Sequence, residues 1–275
     1  MDISELKKIC QKEHYDDLHQ VVVRKYSIYF TKLLVKYNIT ANQLSIINVF
    51  IGIAASLIFL LPAGIHWFLI PVMLVLVTIL DHTDGEIARF RKESSLTGLF
   101  VDRLLPVTIF PFILICIAIR LSWDIGSIVP LIYGALGAWT TCLMRYLRAS
   151  VAHSFSDAIR NPLKATISQQ QLKQFKGKTI NIDGLGSTGA KDTLLKRLIY
   201  FASSIIIKGL GISIFILLCI FLYLNKIYVL GLDGLYIFLI LNFATTFLAD
   251  IYLIRLIILN KTPDRLFVEY LRNHE

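Results

Sequence analysis

The sequence is poor in charged residues and has no closely spaced cysteines. Only 17% of its 275 residues are charged, whereas 56% are hydrophobic and the mean hydropathy is +0.66. Soluble globular domains and disordered chains both need a much more polar composition, so these two classes are excluded. The four cysteines are isolated and form no C-x-x-C pair, so we interpret them as packing residues rather than as zinc ligands.

The hydrophobic residues are gathered into long apolar runs. A helix needs about 20 apolar residues to cross a hydrocarbon core of roughly 30 Å. We therefore predict an all-α, polytopic, integral membrane protein with six transmembrane helices. The second of them is short unless it begins near Gly64. The expected spans are residues 44–61, 67–80, 97–122, 127–146, 205–224 and 235–259.

The distribution of Lys and Arg predicts the orientation in the membrane. Basic residues concentrate in the N-terminal segment and after the second, fourth and sixth spans, whereas the opposite side has only Arg120 and Lys226. Because basic loops are retained in the cytoplasm, both termini and the loop between spans two and three are predicted to be cytoplasmic. The net charge of +9 then faces anionic membrane lipids, and no nucleic-acid partner is expected.

Composition divides the chain into five segments. The first is predicted to be amphipathic, because apolar positions recur with a helical rhythm from Val21 to Val35, and its helix is expected to lie on the membrane surface. We expect no secretory signal peptide in it. The segments are the cytoplasmic N-terminal segment 1–42, membrane helices one to four in 43–149, a polar cytoplasmic loop 150–197, membrane helices five and six in 198–260, and a cytoplasmic tail 261–275.

A cluster of carboxylates lies where the second span ends and the third begins. Asp81 and Asp84 are three residues apart and share a helix face, and Asp102 lies in the first turns of the next helix. Two neighbouring helices could direct all three into one cavity, where their mutual repulsion would require a hard cation. Oxygen ligands suit Mg²⁺, Mn²⁺ or Ca²⁺ better than zinc. The pattern therefore predicts a metal site at a membrane boundary.

The residues beside these carboxylates suit a diphosphate ligand. Gly85 and Gly98 would allow a bulky group to approach the backbone, and Arg89 supplies a planar cation for phosphate. His82 is expected to point away from the aspartates, and we interpret it as structural. Four other charged residues are interpreted as solvated boundary residues: Glu86, Arg91, Lys92 and Glu93.

The spacing D-x-x-D-G-x-x-A-R-x8-G-x-x-x-D, from Asp81 to Asp102, resembles the signature of the CDP-alcohol phosphotransferase family. Members of this family are integral membrane enzymes that make phospholipid headgroup linkages. The stretch from Asn38 to Ser45 is similar to the family's I-T-P-N-x-[IL]-[ST] segment, with Ala41 where proline is usual. The family's six helices, surface N-terminal helix and cytoplasmic site agree with the layout predicted above.

The resemblance implies a reaction and a set of site residues. A substituted phosphate group would pass from a CDP-alcohol to the hydroxyl of an alcohol or lipid acceptor, with release of CMP and with Mg²⁺ or Mn²⁺ as cofactor. Asp81 and Asp102 would be catalytic, and both would bind metal together with Asp84. The residues expected to bind substrate are Gly85, Ala88, Arg89, Gly98, Arg103, Arg145 and Arg148.

The sequence departs from the family pattern at one position. The pattern continues with another aspartate four residues after Asp102, and this position is Pro106. In the family that carboxylate helps to hold a second metal and is the proposed general base, and proline can do neither. The resemblance therefore favours metal and donor binding more strongly than turnover. Two alternatives stay open: a non-catalytic relative that binds a CDP-lipid or metal as a partner subunit, and a lipid transporter.

Three further features lie in the fourth and sixth spans. Arg145 and Arg148 are one helical turn apart and are predicted either to bind a phosphate or to extend toward the membrane surface. Asp250 is expected to face the bundle interior and to have a partner on another helix. Gly134 and Gly137 would permit a close helix contact, and a homodimer is one use of such a contact.

Overall fold

The computed structural model is mainly helical in the part of the chain that it describes. No β-strand occurs in the described residues. The residues that the structure describes are 2–11, 18–37, 39–93, 96–160, 209–229 and 231–260. The helices are α1 (Ile3–Cys10), α2 (Leu18–Leu34), α3 (Ala41–Leu57), α4 (Leu69–Arg91), α5 (Leu96–Ile125), α6 (Val129–Arg160), α7 (Gly209–Leu224) and α8 (Gly234–Asn260).

Within the described part of the chain, four helical stretches are long and apolar enough to cross a membrane, so the prediction of a helical integral membrane protein agrees with the structure. They are Ala41–Leu60, Ile65–Arg91, Phe100–Ile125 and Gly234–Leu259. The fourth and fifth expected spans correspond to α6 and α7, and their membrane crossing stays a prediction. Helix α6 continues to Arg160, so the start of the segment predicted as a polar loop is helical. The rest of that loop and the C-terminal tail lie outside the described residues.

The chain divides into two compact units. The first comprises Met1–Trp139 and Ser204–Phe243, and the second comprises Thr140–Ser203 and Ala244–Glu275. In the first unit, α3 packs against α4 and α5, α4 also packs against α7, and the two N-terminal helices pack against α4. Its main hydrophobic core is built around large, fully buried side chains such as Trp67, Phe59 and Phe238.

Local sequence explains how the helices next to the carboxylates begin. Thr40 caps α3, because its hydroxyl accepts a hydrogen bond from the Gln43 amide while the Gln43 side chain accepts one from the Thr40 amide. Asp2 and Glu5 form the same arrangement at the start of α1. These caps satisfy amides that have no partner within their own helix. They fix where α1 and α3 begin.

The two glycines of α6 are used within the chain. A Cβ atom at Gly134 would lie 2.3 Å from the Ala118 Cβ and 3.1 Å from the Leu114 carbonyl oxygen, so α5 and α6 are in close contact here. At Gly137 a Cβ atom would lie 3.3 Å from the Asn242 Oδ1 atom of α8. Both glycines therefore serve packing inside the first unit, and they give no support to a homodimer.

Candidate metal centre

The three predicted aspartates come together at the junction of α4 and α5. Asp81 and Asp84 lie on one face of α4, and Asp102 lies near the start of α5. One carboxylate oxygen from each residue can be chosen so that all three lie within 4.8 Å of one another. Asp84 is buried, Asp81 is half-buried and Asp102 is exposed, so the cluster opens from the protein interior toward the surface.

The electrostatics of this cluster favour a bound cation. Two unit charges 4.8 Å apart repel by about 3 kcal/mol at an effective dielectric constant of about 20, and solvent at the exposed side reduces this figure. A divalent cation held between the carboxylates would convert that repulsion into attraction. Three carboxylate oxygens form the donor set of a hard ion such as Mg²⁺ or Mn²⁺. In the described part of the chain, no other acidic, histidine or cysteine cluster of this size is found.

Ser45 holds the buried carboxylate in place. Its hydroxyl lies 2.5 Å from Asp84 Oδ2, and it also lies 3.1 Å from the Ala41 carbonyl oxygen one helical turn back. Ser45 is 5% exposed, as is Asp84, so the bond is shielded from water. Sequence reasoning placed Ser45 in the segment before the first span but did not connect it to the metal centre. The signal that could have found it is the position of Ser45 at the end of the stretch from Asn38 that is similar to the family's I-T-P-N-x-[IL]-[ST] segment.

Gly85 and Arg89 lie beside the carboxylates on α4. A Cβ atom at Gly85 would meet the Arg89 guanidinium first, at 3.5 Å from Nη1 and 3.6 Å from Nη2. Arg89 is exposed, and its Nε donates a hydrogen bond of 2.6 Å to the Cys10 carbonyl oxygen at the end of α1. Ala88 is half-buried in the same turn. The predicted phosphate-binding arginine is therefore anchored by the N-terminal helix.

The remaining motif residues lie at the start of α5. Gly98 is in its first turn, and Arg103 follows Asp102 on an exposed part of the helix. Pro106 lies within the same helix, as does Pro111. Because proline has no amide N–H, Pro106 cannot donate the usual helical hydrogen bond to the carbonyl of Asp102. The helix passes through this position without the carboxylate that the family pattern has there.

Glu86 corrects the sequence interpretation. We expected a solvated boundary residue, but its side chain is completely buried. Its two carboxylate oxygens accept hydrogen bonds from Gln11 Nε2 at 2.7 Å, Ser27 Oγ at 2.7 Å and Thr31 Oγ1 at 2.5 Å. Arg24 Nη1 is 3.7 Å from Glu86 Oε1. All four partners, Arg24 included, lie 55 to 75 residues from Glu86 in the sequence, so a local pattern did not identify them.

His82 packs against neighbouring elements, as its structural interpretation predicted, but it does not point away from Asp81 as expected. Its Nδ1 lies 3.0 Å from the Thr78 carbonyl oxygen one turn back, and as the protonated ring nitrogen it donates to that oxygen. Its ring packs 5.9 Å from the ring of His19 on α2. The same Nδ1 is 3.9 Å from Asp81 Oδ2, which is beyond hydrogen-bond distance. His82 therefore belongs to the contact between α2 and α4.

The other predicted charged residues lie in the second unit. Asp250 of α8 is 2% exposed, and neither of its carboxylate oxygens has a hydrogen-bond partner among the described residues. Arg148 of α6 is close enough to interact with it electrostatically, which agrees with the expectation of a partner on another helix. Arg145 lies one turn before Arg148 on the same helix. The predicted role of Arg145 and Arg148 in substrate binding stays a prediction.

Helices of membrane-spanning length that place an acidic cluster at their ends define a membrane protein with a candidate cation site. The sequence model for CDP-alcohol phosphatidyltransferase matches residues 38–181, more than half of the chain. The chain belongs to this family, as its motif suggested, and it is an integral membrane protein. Family membership indicates a transferase that acts in phospholipid synthesis and uses a divalent metal. No curated protein matches the chain.

Proposed function

We propose that the protein transfers a substituted phosphate group from a CDP-alcohol to an acceptor hydroxyl at the membrane interface. The observation that carries this proposal is the cluster of Asp81, Asp84 and Asp102, whose ligand oxygens lie within 4.8 Å of one another. Such a cluster suits the metal that a diphosphate donor requires, and the family implies a CDP-alcohol donor and an alcohol acceptor.

The reaction is a displacement at phosphorus. The acceptor hydroxyl oxygen forms a new bond to the phosphorus that carries the alcohol, and the bond from this phosphorus to the bridging oxygen breaks. CMP leaves with the electron pair of that bond, and the hydroxyl proton passes to a base or to solvent. The product is a phosphodiester. Catalysis of this kind depends mainly on positioning and on stabilisation of negative charge.

Each residue of the cluster has a part in this scheme. Asp81, Asp84 and Asp102 would hold the divalent cation, which when bound neutralises the diphosphate and stabilises the leaving CMP. Asp81 and Asp102 are the solvent-accessible members, so they are the ones that can face the reacting phosphates. Arg89 would bind phosphate oxygens above Gly85, where the backbone carries no side chain to obstruct a ligand.

The membrane arrangement belongs to the same proposal. Six spans, with the metal centre on the cytoplasmic side, would allow a lipid partner to enter from the bilayer while a soluble partner arrives from the cytoplasm. The excess of basic residues in the N-terminal segment and at the C-terminal end of α4 supports this orientation. Gly98, Ala88 and Arg103 would line the donor side, and Arg145 and Arg148 are the proposed site for a second phosphate.

Pro106 supports a second candidate function. Without a carboxylate at this position the chain lacks one expected metal ligand and the expected base, so it could bind the donor as a subunit of a larger assembly without turning it over. A general base contributes about 10² to 10⁴ in rate, so its absence lowers activity without necessarily abolishing it. Binding is therefore common to both candidates, and turnover distinguishes them.

Metal-dependent binding of CDP tests the feature that both candidates share. Full-length protein in lipid nanodiscs is titrated with CDP in Mn²⁺ and again in EDTA, and binding is expected only with metal. Asp81→Asn, Asp84→Asn and Asp102→Asn should each weaken it by at least tenfold, because each removes one charged ligand. Glu93→Gln is the matched control, since Glu93 is an exposed carboxylate outside the cluster. Unchanged CDP affinity in all three variants would overturn the site assignment.

A further inference from the structure

The N-terminal helices converge on one buried carboxylate of the motif helix. Gln11 follows α1, and Ser27 and Thr31 lie one turn apart on α2, and all three donate hydrogen bonds to Glu86 of α4. A carboxylate with no exposure to water is costly to bury unless its oxygens accept such bonds. We call Glu86 and these three donors the Glu86 cluster.

A second link joins the same elements one turn further along α4. Arg89 donates from Nε to the carbonyl oxygen of Cys10, the last residue of α1. The last carbonyls of a helix have no partner within it and carry its negative dipole end, so a guanidinium is well placed there. Cys10 and Gln11 are adjacent in sequence, and Glu86 and Arg89 are three apart on α4. Docking of α1 therefore fixes Glu86 and the motif residue Arg89 together.

An apolar contact completes the docking. Leu6 and Cys10 of α1 and Ile28 of α2 are each at most 1% exposed and form a small cluster against Phe90. Burial of these apolar side chains away from water stabilises the contact. The polar bonds then decide the register in which α1 lies on α4, because hydrogen bonds are directional and apolar contacts are not.

We propose that the Glu86 cluster is a positioning device for the donor site: it fixes the N-terminal helices against α4 so that the Cys10 carbonyl orients the Arg89 guanidinium over Gly85. This inference rests on the proposed function, in which Arg89 binds donor phosphates. The family match begins at residue 38, so the three donors of the cluster all precede it. The N-terminal segment would thus contribute to donor affinity in addition to any contact with the membrane surface.

Two substitutions test the positioning role without touching the metal ligands. Gln11→Ala removes the bond from α1, and Thr31→Val removes a hydroxyl while keeping the side-chain volume. Each should raise the dissociation constant for CDP in Mn²⁺ about five- to tenfold, because only part of the loss of one hydrogen bond to a charged group is transmitted to the orientation of Arg89. Thr31→Ser, which keeps the hydroxyl, should bind like the wild type. Lys8→Ala, on an exposed part of α1, is the matched control.

Three readouts separate positioning from general instability. The affinity for Mn²⁺ without nucleotide should stay within twofold of wild type, because the three aspartates are intact. The KM for the CDP-alcohol should rise while kcat at saturation is unchanged, and the melting temperature should remain above the assay temperature. Equal CDP affinity in wild type, Gln11→Ala and Thr31→Val would overturn the positioning role while leaving the proposed function standing. A parallel loss of Mn²⁺ affinity would also overturn it.

A different result would contradict the proposed function. If the wild-type protein binds Mn²⁺ but does not bind CDP, the donor site itself is wrong, and a role of the Glu86 cluster in donor binding is overturned with it. Wild-type binding with unchanged variants contradicts the cluster alone. Wild-type binding with weakened Gln11→Ala and Thr31→Val, and with Thr31→Ser and Lys8→Ala unaffected, supports both.

Discussion

Replacing Ser45 by alanine isolates one hydrogen bond of the metal centre. In the wild type the Ser45 hydroxyl donates to Asp84 Oδ2 at 2.5 Å, and both side chains are 5% exposed or less. A hydrogen bond to a charged group contributes about 1.5 to 3 kcal/mol, and its loss leaves the buried carboxylate without this donor. The charged form of Asp84 is the one that binds a cation, so metal affinity should fall.

The expected change is a 10- to 100-fold increase in the dissociation constant for Mn²⁺, the usual effect of losing a residue that orients a metal ligand. It can be measured by titrating full-length protein in nanodiscs and following free Mn²⁺ by electron paramagnetic resonance. Ser56→Ala is the matched control, because Ser56 is a buried serine of the same helix whose hydroxyl donates to the Gly52 carbonyl oxygen. It should leave Mn²⁺ affinity unchanged.

The result that would refute this reasoning is equally specific. If Ser45→Ala binds Mn²⁺ within twofold of wild type while Asp84→Asn has lost binding, Asp84 is a ligand but Ser45 does not support it. If Ser56→Ala loses affinity to the same extent as Ser45→Ala, the effect is a general loosening of α3. Only a selective loss in Ser45→Ala agrees with the geometry.

Three other predictions follow from the helix contacts and the orientation. Gly134→Ala should destabilise the protein by about 1 to 3 kcal/mol in thermal unfolding, because its Cβ would lie 2.3 Å from that of Ala118, and Ala118→Gly in the same chain should restore most of the loss. Burial, and secondarily the Glu86 carboxylate, raises the pKa of the Cys10 thiol to about 11, so at pH 7.5 its maleimide labelling should be at least roughly a hundredfold slower than that of an exposed cysteine; rapid labelling would show that α1 is not docked. A cysteine introduced by Glu93→Cys should be labelled by an impermeant reagent only from the cytoplasmic side, and labelling from outside intact cells would reverse the topology.

The metal centre was accessible to sequence reasoning because its spacing is local. Asp81 and Asp84 share a helix face by their separation of three, and a short connection brings the next helix and Asp102 beside them. Ser45 was within reach for a similar reason, since it lies in a segment that the sequence had already related to the family. What periodicity could not supply was the pairing between α3 and α4 that brings Ser45 to Asp84.

Glu86 shows where sequence reasoning failed and why. A glutamate at the end of a span is normally solvated, and nothing adjacent to it suggests otherwise. Its partners are distant in sequence, and their association depends on how α1 and α2 fold back on α4. One signal was present: Ser27 and Thr31 are four apart on the buried face of α2, and small hydroxyl residues on such a face indicate a buried acceptor.

The most direct test of the central claim is CMP release from a panel of CDP-alcohols by the purified, full-length protein in Mg²⁺ or Mn²⁺. We expect slow but measurable release that is abolished by EDTA and by Asp81→Asn. We also expect Pro106→Asp, which restores the carboxylate of the family pattern, to raise the rate. If no CDP-alcohol yields CMP with either metal, and Pro106→Asp remains inactive although it binds CDP, then catalysis is contradicted and the protein is a donor-binding subunit.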